Sequence, residues 1–132
     1  MLVMKHTKLT NADGDTSIAV AGTANVITKA ILIKAAYSFG IWFKLASTAG
    51  TVDMSLSLQQ SYKLPTKEGS SDVDWIAPAA NSAIVTKHTA ETAYIGTITP
   101  TTAPYLRILI DGQNSNNADA TIEITLMIQQ DI

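Results

Sequence analysis

The chain has 132 residues, of which 46% are hydrophobic and only 15% charged, with nine basic and eleven acidic residues giving a net charge of −2. That balance excludes a charge-rich disordered chain and a coiled coil, both of which need far more Glu, Lys and Arg. The length suits one domain, and surface scaling for 14.0 kDa gives about 6,700 Å² folded against about 20,000 Å² unfolded, enough burial for a core without staples.

Cysteine is absent, so there is no disulfide and no cysteine-type zinc site, and the chain suits either redox compartment. Eight lysines are scattered along the chain and Arg107 is the single arginine, a distribution that does not predict nucleic-acid binding. The first ten residues hold too short an apolar run for a signal peptide. The longest apolar stretch, Ala30 to Ile33, lies between Lys29 and Lys34, far short of the ~20 residues of a membrane span.

Threonine occurs 17 times and Ile and Val are frequent, a β-branched composition that favours strands. Residues 1–16 carry little apolar material and are expected to form an extended N-terminal arm or a first edge strand, ahead of a domain over 17–132. Asn25 to Ala36 fits a helix or a strand by spacing; three Ile and a Val in twelve residues favour the strand. From Tyr37 to Leu45 the alternation places Tyr37, Phe39, Ile41, Phe43 and Leu45 on one face and Ser38, Gly40, Trp42 and Lys44 on the other. After a turn at Ser47–Gly50, residues 51–60 put Val52, Met54, Leu56 and Leu58 inward, and the two runs are expected to form a hairpin. Residues 64–72 read as a loop and Asp72 to Ile76 as a short strand. Ile84–Lys87 and Ala93–Ile98 read as further short strands, and Pro100 and Pro104 force an extended entry into the next. Leu106, Ile108 and Ile110 then align, and after an Asn-rich loop at 111–119 so do Ile122, Ile124, Leu126 and Ile128, which predicts a second hairpin.

Seven to nine short strands divided by Gly, Asn, Pro and Ser predict an all-β single-domain β-sandwich, of jelly-roll or immunoglobulin-like topology. Pattern alone leaves those two topologies open.

Chemistry-bearing motifs are sparse. His6 and His88 have no nucleophile elbow or metal spacing around them. Asp13-Gly-Asp15 begins like a calcium loop, yet the twelfth position counted from Asn11 is Gly22 where a Glu is needed, so a turn is expected. Asp111, Asn114, Asn116 and Asp119 also read as a turn. Asp72 and Asp74 have nothing besides Trp75 to raise a pKa and read as a solvated pair. No catalytic residue, metal ligand or cofactor site is predicted. Trp42 either stands exposed, where an indole can stack on a sugar or anchor a subunit, or packs into a second buried face; Trp75 is expected to pin a loop onto the core.

Several segments resemble small β-sandwich virion structural proteins of tailed phages and prophages, of the capsid-decoration or head-associated type. They are Tyr37-Ser-Phe-Gly; Leu56 to Gly69; the acidic Asp72 to Trp75; and Ile98 to Ile108 with the Asn-rich loop after it. The likeness covers about two-thirds of the chain and carries no catalytic signature. It implies a non-enzymatic capsid-decoration protein on the capsid surface of a virion. The partners implied are the major capsid protein and further copies of the chain, as a homotrimer, with no nucleic acid or membrane. Leu2, Val3 and Leu9 are the expected arm anchors and Trp42 the expected surface contact. Two alternatives remain: a carbohydrate- or receptor-binding module of a tail or secreted protein, needing Trp42, Trp75, Tyr94 or Tyr105 along one groove, and a head–tail connector or tail component.

Overall fold

The computed structural model describes residues 1–33, 36–47, 54–62, 75, 83–87, 92–98, 105–112 and 120–131. Its surface of 6891 Å² lies close to the scaling expectation. Among the described residues every regular element is a strand: β1 Leu2–Lys8, β2 Ile18–Ala19, β3 Asn25–Ile27, β4 Ile31–Leu32, β5 Ala36–Ala46, β6 Met54–Ser61, β7 Ala83–Lys87, β8 Thr92–Ile98, β9 Tyr105–Gly112 and β10 Thr121–Asp131. Two strand positions are each split in two, so these ten segments fill eight positions, within the expected seven to nine.

The sheets are β1-β10-β5-β8, with β2 also on β10, and β3-β9-β6-β7, with β4 also on β9, and every pairing is antiparallel. β1 and β2 follow each other along one edge of β10, and β3 and β4 along one edge of β9. Eight strand positions result, pairing first with last, second with seventh, third with sixth and fourth with fifth. The chain behaves as one long antiparallel ribbon wound into two layers, which is the jelly roll and not the immunoglobulin-like alternative.

Both predicted hairpins are overturned. β5 lies in the first sheet and β6 in the second, and β9 and β10 are likewise divided. Alternation fixes which side of a strand is apolar, but a strand across the core satisfies that side as well as a neighbour in the same sheet. The predicted inward faces hold: Ile41, Phe43, Leu45, Met54, Leu56, Leu58, Leu106, Ile108, Ile110, Ile122, Ile124, Leu126 and Ile128 are buried in one cluster. Leu9, Ile18 and Val20 join them. The predicted short strand at Asp72 to Ile76 lies outside the described residues except for Trp75.

Within Asn25 to Ala36 the described residues form β3 and β4, as composition favoured, with a break at Thr28; Lys34 and Ala35 lie outside the described residues. The Thr28 N–H donates to the Ile108 carbonyl at 3.0 Å, and its Oγ1 accepts the Ile108 N–H at 2.9 Å. The side chain thus fills a gap in the ladder, and Lys29 turns away to donate its N–H to the Thr10 carbonyl at 2.8 Å. Nearby, the Gly112 N–H donates to the Ala24 carbonyl at 2.9 Å. A Cβ on Gly112 would overlap the Gly22 carbonyl oxygen, and Gly22 itself turns through φ +61°. Gly112→Ala is therefore expected to cost at least about 2 kcal/mol, read as a lower denaturant midpoint at unchanged slope.

Gln60 continues the inward row of Met54, Leu56 and Leu58 and is 2% exposed. Among the described residues neither its Nε2 nor its Oε1 finds a hydrogen-bond partner. Two unpaired polar atoms in an apolar layer are costly. Gln60→Leu, close in volume, is expected to raise stability by about 1–3 kcal/mol in the same titration; a loss of stability would show that the amide is satisfied by a buried water.

Candidate functional site

The outer faces of the two sheets are built differently. On the first sheet, strand alternation turns Met4, His6 and Lys8 of β1 outward, with Glu123, Thr125, Met127 and Gln129 of β10 and Trp42 and Lys44 of β5. The register sets them in rows: Lys8, Thr125 and Trp42; His6, Met127 and Gly40; Met4 and Gln129. Trp42 stands 47% exposed in mid-strand and Met4 62% exposed at the edge. Gly40 brings no side chain beside the indole, and the β5–β8 register shifts between Phe39 and Ile41, a bulge next to it. Glu123 is opposite Lys44, and Lys8 Nζ lies 3.8 Å from Glu123 Oε1. Such an exposed pair contributes at most about 1 kcal/mol. Two lysines against one carboxylate leave this face slightly basic.

The second sheet's outer face is covered where β9 crosses β6. Arg107 points outward by alternation, yet is only 2% exposed. Its guanidinium lies 4.2 Å from the centre of the Trp75 ring, and its Nε donates to Gln59 Oε1 at 2.8 Å; Gln59 is its cross-strand partner. Stacking suits the planar guanidinium, which sheds water more easily than an ammonium. Trp75 is thus buried as expected, but against a cation on the outer face and not in the inner core. The lone arginine among outward residues of β9 was the available sequence signal for it.

The predicted interface residues do not gather. Leu2 is paired through its backbone with Asp131, and Val3, half-buried, with Gln130. Leu9 is 1% exposed inside this chain's own core, with its N–H donating to the Ile124 carbonyl at 2.9 Å. Trp42 is the exposed one of its two alternatives. His6 is exposed on β1; His88, Asp72, Asp74, Asn114, Asn116 and Asp119 lie outside the described residues.

The Asn11–Asp15 segment is a closed turn. Asn11 Oδ1 accepts the N–H groups of Asp13 at 3.1 Å and Asp15 at 2.9 Å, and Gly14, at φ +85°, donates to the Asn11 carbonyl at 3.0 Å. Both Asn11 oxygens are spent on the segment's own N–H groups. Among the described residues no three His, Asp or Glu side chains converge as metal ligands.

No family model and no curated protein sequence matches the chain. Solved structures do. A chain from the structure of infectious bursal disease virus, Gx strain, aligns over 97% of this chain at 14% identity and TM-score 0.52. A chain from the T13 particle of the same virus aligns over 96% at 11% identity and TM-score 0.50. The xylan-binding module CBM86 of Roseburia intestinalis aligns over 96% of this chain and 94% of its own at 14% identity and TM-score 0.45. The chain spans about a third of the length of the virus-particle chains it matches, 33% and 31%. At these identities the likeness shows a shared β-sandwich fold.

The two tryptophans should separate under mutation. Trp75→Ala strips the cover from a buried cation and is expected to cost about 3–5 kcal/mol. Trp42→Ala removes a half-exposed ring and is expected to cost under about 1 kcal/mol. Thermal unfolding of both variants checks the contrast.

Proposed function

We propose that the chain is a non-enzymatic virion structural protein, a capsid-decoration protein of tailed-phage type that works by adhesion. The observation that carries this reading is the open face of the first sheet, where Trp42 stands 47% exposed among Thr125, Met127 and Gly40 on a scaffold of paired strands. An indole held by a sheet loses little entropy on docking, and its uncharged neighbours Thr125, Met127 and Gly40 are easy to dehydrate beside it. The sandwich fold shared with virus-particle chains and the segment resemblance to phage head proteins support the same assignment.

In this reading the partner is the major capsid protein, and the protein sits as a trimer on the outer capsid surface. Each contact is modest. Many equivalent contacts, all needing to break before the lattice opens, stabilise the shell by mass action and multivalency. A sugar-binding surface has partial support: Tyr94 is the cross-strand partner of Trp42 on the first sheet, whereas Trp75 lies against Arg107 and Tyr105 belongs to β9, both on the second.

The test is co-sedimentation of the purified chain with undecorated capsids of the phage or prophage that encodes it. Wild-type chain is expected to bind in fixed ratio to capsid subunits and to raise the temperature at which capsids release DNA. Trp42→Ala, folded normally, is expected to bind at least about thirtyfold more weakly, as for an interface hot spot of about 2 kcal/mol. Absence of wild-type binding, or equal binding by the variant, refutes the reading.

A further inference from the structure

We infer that β1 is an exchangeable strand, and that the edge of β10 it occupies accepts β1 of a second copy of this chain. The register carries the inference. Lys8 pairs with Thr125 and Ile18 with Ile122, so ten steps along the first strand position match three along β10. Seven residues are surplus. The Leu9 N–H still bonds to the Ile124 carbonyl, and the Val20 N–H to the Ala120 carbonyl, so both flanks of the surplus are held on the same edge. An unbroken strand would place residue 11, on the inward face, opposite Ile122. Ile18, buried and inward, occupies that place instead.

The surplus segment makes few commitments to the body of the fold. Residues 12–17 are all exposed. The turn is closed by bonds within itself, from the Asn11 N–H to the Asp15 carbonyl at 3.2 Å and from Asp15 N–H to Asn11 Oδ1 at 2.9 Å. A hollow of about 430 Å³ separates it from β3. Opened out at about 3.3 Å per residue, seven residues reach about 23 Å, more than twice the ~10 Å between packed sheets.

β1 itself adds little to the core. On its inward face Val3 and Thr7 are half-buried, Lys5 is exposed, and Leu9 just beyond its end is the first residue of the cluster. What holds it is the ladder to β10, the Leu9 anchor, the Lys29 N–H on the Thr10 carbonyl and the Lys8–Glu123 pair. A second copy's β1 offers every one of these groups in the same order, so the occupant follows from the seat. Exchange conserves the contacts and replaces only a compact loop with an extended one, the condition under which strand swapping is cheap. The inference concerns the isolated chain and stands apart from the capsid reading, so either can fail alone.

The chain has no cysteine, so an introduced pair reports cleanly. His6→Cys with Met127→Cys places thiols at directly opposed positions of β1 and β10. Oxidised after equilibration, the closed form gives an internally bridged monomer and the exchanged form gives chains linked to one another. The linked fraction is expected to rise at least about tenfold between about 10 µM and about 1 mM, a range reaching the millimolar effective concentration of a short tether. Deleting residues 11–17 joins Thr10 to Ile18 in continuous register and removes the hinge; it should abolish linked species at every concentration. Internal bridging alone in the full chain overturns the inference, as does equal linking with and without the hinge. Lys8→Cys with Thr125→Cys, opposed in the same register, repeats the test should the first pair misfold.

Discussion

The fold depends on β10, which is paired along both of its edges. β5 lies along one side of it, with β1 and β2 along the other. Its inward residues Ile122, Ile124, Leu126 and Ile128 are all buried. The first strand position has no seat until the last strand exists, so the sandwich closes by pairing opposite ends of the sequence. Contacts of such long separation make folding slow relative to helical domains and leave unpaired edges exposed meanwhile. The pairing also explains why β5 and β10, at eleven residues each, are the longest strands. They form the middle of the sheet, and the remaining strands pack against the platform they make.

Half of this was legible in the sequence. A period of two marks the buried side of each strand, and every inward residue of β6, β9 and β10 up to Leu58, Ile110 and Ile128 was readable that way. Partner choice was not. Residues 46–53 and 112–120 look like hairpin connections because they are short and polar, yet the strands before and after each belong to different sheets. An apolar face is indifferent to whether its strand's neighbours are consecutive, so periodicity holds no information on topology. Thr28 shows the same limit at smaller scale. Its hydroxyl takes the place of a ladder acceptor for Ile108, and nothing in Ile-Thr-Lys announces that the strand breaks there.

The polar residues of the second sheet were less legible still. Arg107 sits on the outward side of β9 by alternation and would be read as solvated. Its burial depends on Trp75, thirty-two residues away, and on Gln59, forty-eight away. Neither separation has a local signature. Gln60, one residue on from Gln59, faces the opposite side of the same strand and carries its amide into the apolar layer. Adjacent glutamines thus have opposite fates, set by the pleat alone: one satisfies a buried cation and the other goes unpartnered among the described residues.

The same division sorts the two faces of the molecule. On the second sheet the guanidinium of Arg107 is already stacked and bonded, so its charge and the Trp75 ring serve internal cohesion. On the first sheet the largest side chain is held rigidly by a paired strand and left open to water. A domain with its apolar surface spent on its own core has no reason to keep an indole there, beside a glycine and a bulge, because removing it costs the fold little. A rigidly held, exposed ring is what the proposed attachment needs, and it stands on this sheet. The edge of that sheet ends in β1, whose contribution to the core is slight and whose tether is longer than its path requires. The proposed attachment through a face and the proposed tethering through an edge strand thus fall on one layer, the layer that also contains β10.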